Sequence, residues 1–363
     1  MTPRERMLTA LARGIPDRLP VTIHQWQPYH LKTFMNGMSD IQAFRAVGLD
    51  AAITIWDANT GKTSPQWRVE TQAVPTAEGW ISDITYHTPE GVLTQRDESN
   101  DKTTWTVQEI IKRPEDIDLI RKYLPVPRLD KEFVRSVKRE LGDSGILRGL
   151  VFGAQAGPWQ DAVTMVGTQK LIMATYDDPA WVHALLETLT VKKLQFIEES
   201  LDGAEFDLIE MGGGAASSTV ISPRLFKNFV LPYDRRLHDA LHAVGHKVVY
   251  HTCGGMMPIL EAIVANGCDA SETLSPPGVG GDVTDPAELK RRIGNQVCLI
   301  GGMDQVNLLS YSTPEVIRAE VHRLFEGFGP GGGYICSASD HFFDAPVENL
   351  RAFADAAREC VYS

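Results

Sequence analysis

The chain has 363 residues, 43% of them hydrophobic and 23% charged, proportions that suit a globular protein with one large core. A formal charge of -12 and a pI of about 5.3 argue against general affinity for nucleic acid or anionic membrane. No apolar run reaches the roughly 18 residues of a membrane span. The N-terminal MTPRERMLTALARGIPDR lacks an apolar signal core, so a cytoplasmic location is expected. The 5 cysteines, an odd number in a long chain, do not suggest a disulfide framework and leave thiols free for metal binding or chemistry.

Short β-type runs recur along the chain with helical patterns between them. In order they are Leu19–His24, Asp50–Trp56, Leu147–Gly153, Phe206–Met211, Lys247–His251, Cys268–Thr273, Val297–Gly301 and Gly333–Cys336. The sixth is weak alone and is counted partly because the spacing needs it. Helices announce themselves at Asp178-Pro179, Ser222-Pro223, Asp285-Pro286 and Thr313-Pro314-Glu315. After Ser222-Pro223, residues Leu225, Phe226, Phe229, Val230, Tyr233, Leu237 and Leu241 share one helical face, up to Gly245. Strand and helix alternate, which predicts an α/β fold with a closed parallel (β/α)8 TIM barrel as one domain over residues 1–363. From about residue 60 to 110 the alternation gives way to period-two runs, with Glu90-Gly91 between two of them. These predict an antiparallel β meander inserted after the second strand, over or beside the barrel mouth as a lid, a docking surface or a decoration.

His251-Thr252-Cys253 follows the apolar run KVVY, and Cys336 closes the run GYIC. In a parallel barrel the C-terminal ends of the strands carry the site. One imidazole and two thiols there match the ligand preference of zinc, with a fourth position open to substrate. The same pattern also fits ordinary buried thiols. Cys268 and Cys298 each begin an apolar strand and read as core. Gly212-Gly213-Gly214 and Gly331-Gly332-Gly333 lack the context of a phosphate loop and read as tight passages beside strands.

Four segments carry a family likeness. They are GPWQDAVTMVGTQKLIMATYDDPAWVHALLETLT (157–190), SPRLFKNFVLPYDRRLHDALHAVGHKVVYHTCGG (222–255), LIGGMDQVNLLSYSTPEVIRAEV (299–321) and GGGYICSASDHFFDAPVENLRAFADAA (331–357). Their order resembles the uroporphyrinogen decarboxylase superfamily over nearly the whole chain. Decarboxylating members need no metal and carry a basic stretch after the first strand that holds substrate carboxylates. Here that place reads His24-Gln25-Trp26-Gln27-Pro28-Tyr29-His30, without arginine. The other branch contains corrinoid-dependent methyltransferases, whose thiol-methylating members bind zinc through His-x-Cys and a later Cys. The resemblance therefore implies Zn2+ on His251, Cys253 and Cys336. Glu210 and Glu272, near the ends of the fourth and sixth strands, each read as a possible fourth ligand or as a buried hydrogen-bonded carboxylate.

It also implies a methyl transfer between a small thiol or methoxylated compound and a corrinoid (cobalamin). No Asp-x-His-x-x-Gly signature occurs here, so the corrinoid would ride on a separate partner protein. Asp340 and His341, after the eighth strand, are candidate catalytic residues for relaying protons, or else pin the loop. His24, Trp26, Tyr29, Trp56, Trp159 and Asp304 are the candidate substrate-binding residues. For Asp304 a turn-pinning role, and for His24 an ordinary buried histidine, are equal alternatives. The competing readings are a metal-free decarboxylase and a non-catalytic corrinoid- or partner-binding barrel; a homodimer is compatible with each.

Overall fold

The computed structural model describes residues 1–56, 58–154 and 156–362. Eight parallel strands form the central sheet: β1 (Val21–Thr22), β2 (Ala51–Thr54), β3 (Gly145–Leu150), β4 (Leu208–Gly212), β5 (Val248–His251), β6 (Ala270–Thr273), β7 (Cys298–Met303) and β8 (Tyr334–Ala338). Their order is β1-β8-β7-β6-β5-β4-β3-β2. The remaining seam is crossed where the Asp50 amide donates to the Val21 carbonyl at 2.9 Å, so the ring is nearly closed. This is the (β/α)8 barrel that the sequence predicts, and the weak sixth run is a strand.

Side chains alternate across each strand, so each strand has one face toward the barrel axis and one toward the helices. The axial face begins with small and apolar residues: Ala52, Ile146, Leu208, Val249, Ala270, Cys298, Ile300 and Ile335. The N-terminal helix Pro3–Leu11 packs Met7, Ala10 and Leu11 against them and plugs that end. Its start is held by a capping box in which the Thr2 hydroxyl accepts from the Glu5 amide. The outward faces, with Leu147, Ile209, Tyr250, Leu299, Tyr334 and Cys336, join the helices in a second, larger core.

The helix that opens at Ser222-Pro223 runs to Ala243, with the cap hydroxyl of Ser222 accepting from the Leu225 amide. It loosens to a π-helical turn over Phe226–Val230, next to Pro232, which lacks the amide needed to continue regular bonding.

Between β2 and β3 the chain leaves the barrel. Asn59–Thr60 pairs with Arg128–Leu129, and Arg68–Pro75, Trp80–Thr88, Gly91–Ser99 and Thr104–Gln108 form a four-stranded antiparallel meander. One corner of it reaches the rim: the Lys102 ammonium lies 3.1 Å from Asp344 and 4.7 Å above the Tyr29 ring. Tyr29 and Asp344 follow β1 and β8, so this corner touches the end of the barrel where the strands finish. No helix among the described residues is long and apolar enough to cross a membrane.

Candidate metal centre at the barrel mouth

One turn of the pleat above the apolar layer, the axial positions change character. Arg148 on β3, Glu210 on β4, His251 on β5 and Glu272 on β6 all point inward, and His24 arrives from just beyond β1. None is more than 2% exposed. Ionised groups in such a place persist only when paired. The Arg148 guanidinium lies 2.8 Å from Glu210 and 2.7 Å from Glu272. Nδ1 of His251 lies 3.1 Å from Glu272 Oε1 and 3.6 Å from Glu210 Oε1. Nε2 of His24 faces the same two carboxylates at 3.4 and 3.5 Å.

The charges shift one another's protonation. Burial alone would raise the Glu272 carboxyl, but the adjacent Arg148 and the two histidines hold it well below the usual carboxylate range. Burial opposes a charge on His24, yet Glu210 and Glu272 raise its pKa to about 9. His251 is also raised, against burial, by Cys253 and Glu272. His341 is different: burial and the neighbouring His24 charge lower it to about 4, so it is neutral near pH 7.

These contacts set the direction in which each ring presents its lone pair. With Nδ1 of His251 donating to Glu272, Nε2 is the nitrogen left for a ligand, which would take the place of its proton. That atom is buried and has no hydrogen-bond partner among the described residues. An oriented imidazole backed by a carboxylate is the usual support of a metal-binding histidine. The His251 ring nitrogen, the Cys253 sulfur and an Asp340 oxygen lie within 4.8 Å of one another. Soft sulfur, imidazole and carboxylate are a donor set that zinc accepts. Gly214 makes room for it: a Cβ there would stand 2.4 Å from the Cys253 sulfur. The deeper group of His24, Glu210, His251 and Glu272 also offers four donors within 4.8 Å, so a buried His/Glu cluster could hold a metal. Arg148 already supplies the cation there, 2.7 to 2.8 Å from both carboxylates.

The structure moves the second sulfur of the expected ligand set. β8 runs on to Ala338, two residues past the predicted end at Cys336. Cys336 thus lies mid-strand on the outward face, fully buried with Tyr334 and the helices. It belongs to none of the donor groups among the described residues, and burial pushes its thiol up to about 12. Asp340, beyond the end of β8, is the residue that joins His251 and Cys253 in one donor group.

Of the other candidates, His24, Asp340 and His341 come together, with the His24 and His341 ring centroids 5.1 Å apart. Trp26 is only 4% exposed, packed against Phe44 and Phe342 in the core instead of lining the opening. Trp159 is likewise core, its indole N–H donating to the Ala215 carbonyl at 3.0 Å. Trp56 lines a separate pocket of about 300 Å³ with Pro127 and Phe152. Tyr29 is half-buried against Phe343 and Lys102. Asp304 caps its own turn, accepting from the Val306 and Asn307 amides and the Asn307 side chain, so it pins the loop. Arg148 is the participant that sequence reasoning missed. Its one signal is a charge inside the run Leu147–Gly153.

Comparison with known proteins agrees with the fold. The sequence pattern of the family described as Uroporphyrinogen decarboxylase (URO-D) matches residues 98–360. A uroporphyrinogen decarboxylase of Aliivibrio salmonicida is 32% identical over 262 residues, 67% of this chain and 68% of the relative. One from Psychromonas ingrahamii is 31% identical over 272 residues, 69% of this chain and 70% of the relative. Among solved structures, a methyltransferase from Methanosarcina mazei superposes with a TM-score of 0.67 over 99% of both chains, at 15% identity. A B12-independent methionine synthase from a Shewanella species gives 0.50 over 88% of this chain and 85% of that one, at 10% identity. The structural likenesses speak to the fold alone. The extent of the family match and of the sequence identity shows that this chain belongs to the uroporphyrinogen decarboxylase family.

Proposed function

We propose that this enzyme is a metal-dependent methyltransferase that moves a methyl group between a small thiol or methoxylated compound and a corrinoid carried on a separate protein. The observation that carries the reading is the unpartnered, buried Nε2 of His251 beside Cys253 and Asp340. His251, Cys253 and Asp340 are the residues that would hold Zn2+. When bound there, zinc acts as a Lewis acid toward a thiol or an ether oxygen.

The chain's own groups do the rest. Glu272 keeps the Nδ1 proton of His251 in place, and Arg148 keeps Glu272 ionised. Cys253 would hold the metal through its sulfur as a thiolate. His341, neutral and at the rim, can take a proton from an incoming thiol. A carboxylate donates less charge to a metal than a thiolate does. With Asp340 in place of a second sulfur, the site leans further toward polarising a methoxy oxygen than the sequence alone implied.

The decarboxylase reading meets an electrostatic obstacle. The segment His24–His30 carries no arginine, and the one guanidinium among the axial residues named above is matched by two carboxylates. A polycarboxylate substrate would find no guanidinium free to clamp it among those residues.

The test is zinc content of the purified protein, followed by two assays. One measures methyl transfer from methylcobalamin to thiols; the other measures demethylation of methoxyarenes by reduced cobalamin. At least one zinc per chain and activity in one direction are expected. Folded protein that binds no zinc and transfers no methyl group in either direction overturns the proposal.

A further inference from the structure

The two histidines of the mouth face the same pair of carboxylates, His251 through a hydrogen bond and His24 at ion-pair distance. Glu210 and Glu272, clamped by Arg148, face Nδ1 of His251 and Nε2 of His24. On each ring this leaves the opposite nitrogen. His251 Nε2 and both ring nitrogens of His24 are buried with no hydrogen-bond partner among the described residues. His251 points its nitrogen at the position treated above. His24 belongs to another group, in which its ring nitrogen, an Asp340 oxygen and a His341 ring nitrogen lie within 4.8 Å of one another. His341 contributes an unpartnered Nε2 of its own. The two donor groups have only Asp340 in common.

We propose that the mouth holds a second divalent cation, bound by His24, Asp340 and His341 beside the His251–Cys253–Asp340 position, with the Asp340 carboxylate shared between them. This rests on the reading of the mouth as a metal centre. A carboxylate has two oxygens and enough lone pairs to serve two cations at once. One structural hydrogen bond, from the His341 amide to Oδ1 at 2.7 Å, already aims it. Two imidazoles and a carboxylate suit Zn2+, Co2+ or Mn2+, and leave room for an oxygen ligand. A pair of ions bridged by one carboxylate would be able to grip both oxygens of a bidentate substrate. The second position therefore favours substrates with neighbouring oxygens, such as a methoxy group beside a phenol.

The test is metal stoichiometry. Full-length protein, stripped with chelator, is saturated with Zn2+, desalted and measured for metal per chain. The same forms are loaded with Co2+ and scanned for the thiolate-to-cobalt charge-transfer band. Wild type is expected to hold two ions. His341→Ala and His341→Gln should hold one and keep the band; Cys253→Ala should hold one and lose it. Circular dichroism of the His341 variants checks folding. Saturation of wild type at one ion with the band present, unchanged by either His341 variant, overturns this inference and leaves the proposed function standing. Absence of bound metal in every form overturns both.

Discussion

His251 and Glu272 sit directly opposite one another on neighbouring strands, with Nδ1 and Oε1 3.1 Å apart. The pairing is a matter of register: β5 and β6 run parallel, and both residues are the last axial positions before the rim. The bond decides which histidine nitrogen is available for a ligand. Glu272→Gln replaces the charged acceptor by an amide and removes one of the two partners of Arg148. Zinc affinity should fall by about 10- to 100-fold, the usual range for outer support of a metal-bound histidine. Competition against a chromophoric chelator measures it. Unchanged affinity would show that Glu272 does not orient the ring.

Proton linkage gives a second prediction, for metal-free protein. His24 has a folded pKa of about 9, above its ordinary 6.5. A group raised on folding contributes stability that is fully present below about 6.5 and is lost as pH rises through about 9. Its full contribution is on the order of 3 kcal/mol by linkage. Glu272 has the opposite sign. Its pKa is depressed, so its contribution is present above the ordinary 4.5 and is lost at more acidic pH. Denaturant melts of wild type and His24→Gln should therefore diverge most near pH 6 and converge toward pH 10. Parallel curves across that window would contradict the ion pairing assigned to His24.

Cys336 separates the geometry from the sequence expectation. Cys336→Ala should leave zinc content unchanged and cost about 1 kcal/mol, the order for deleting one small buried group. Asp340→Asn should spare stability and reduce zinc retention by at least tenfold. Elemental analysis after dialysis, with thermal melts of both variants, settles the point. Loss of zinc in Cys336→Ala alone would reinstate the two-thiol set.

The same residue shows what was legible beforehand. Seven of the eight runs announced themselves because they are largely apolar and lie next to Gly or helix-start signals; the sixth, Cys268–Thr273, rested partly on spacing. A strand's end is less sharply written than its middle, since the pairing of Ser337 and Ala338 with β7 depends on the neighbouring strand. A shift of one residue turns every side chain to the other face. Ending β8 at Cys336 instead of Ala338 was enough to promote a core thiol to a ligand. Arg148 was illegible for a related reason. A charge in a strand reads as solvent-facing until Glu210 and Glu272 are known to share its layer. Tryptophan near a strand end fills a core as readily as it lines a pocket. Trp26 and Trp159 did the former.

Gly214 offers the most selective probe of the mouth. It lies in the Gly212-Gly213-Gly214 run, and its backbone does not need the left-handed region, unlike Gly212 at φ +99° and Gly213 at φ +142°. Alanine at 214 is therefore tolerated by the backbone, and the conflict is steric. Its methyl would stand 2.4 Å from the Cys253 sulfur and 3.2 Å from the Cys253 carbonyl oxygen. Contact at that range must push the short cysteine side chain aside. Gly214→Ala should lower zinc affinity at least tenfold and weaken the thiolate-to-cobalt band, with a stability change within about 1 kcal/mol. Placed in a Cys253→Ala background, the same substitution has no sulfur to displace and should add little. That non-additivity identifies the contact through which it acts. Equal losses of affinity in both backgrounds would mean that Gly214 acts on the loop as a whole and not on the sulfur.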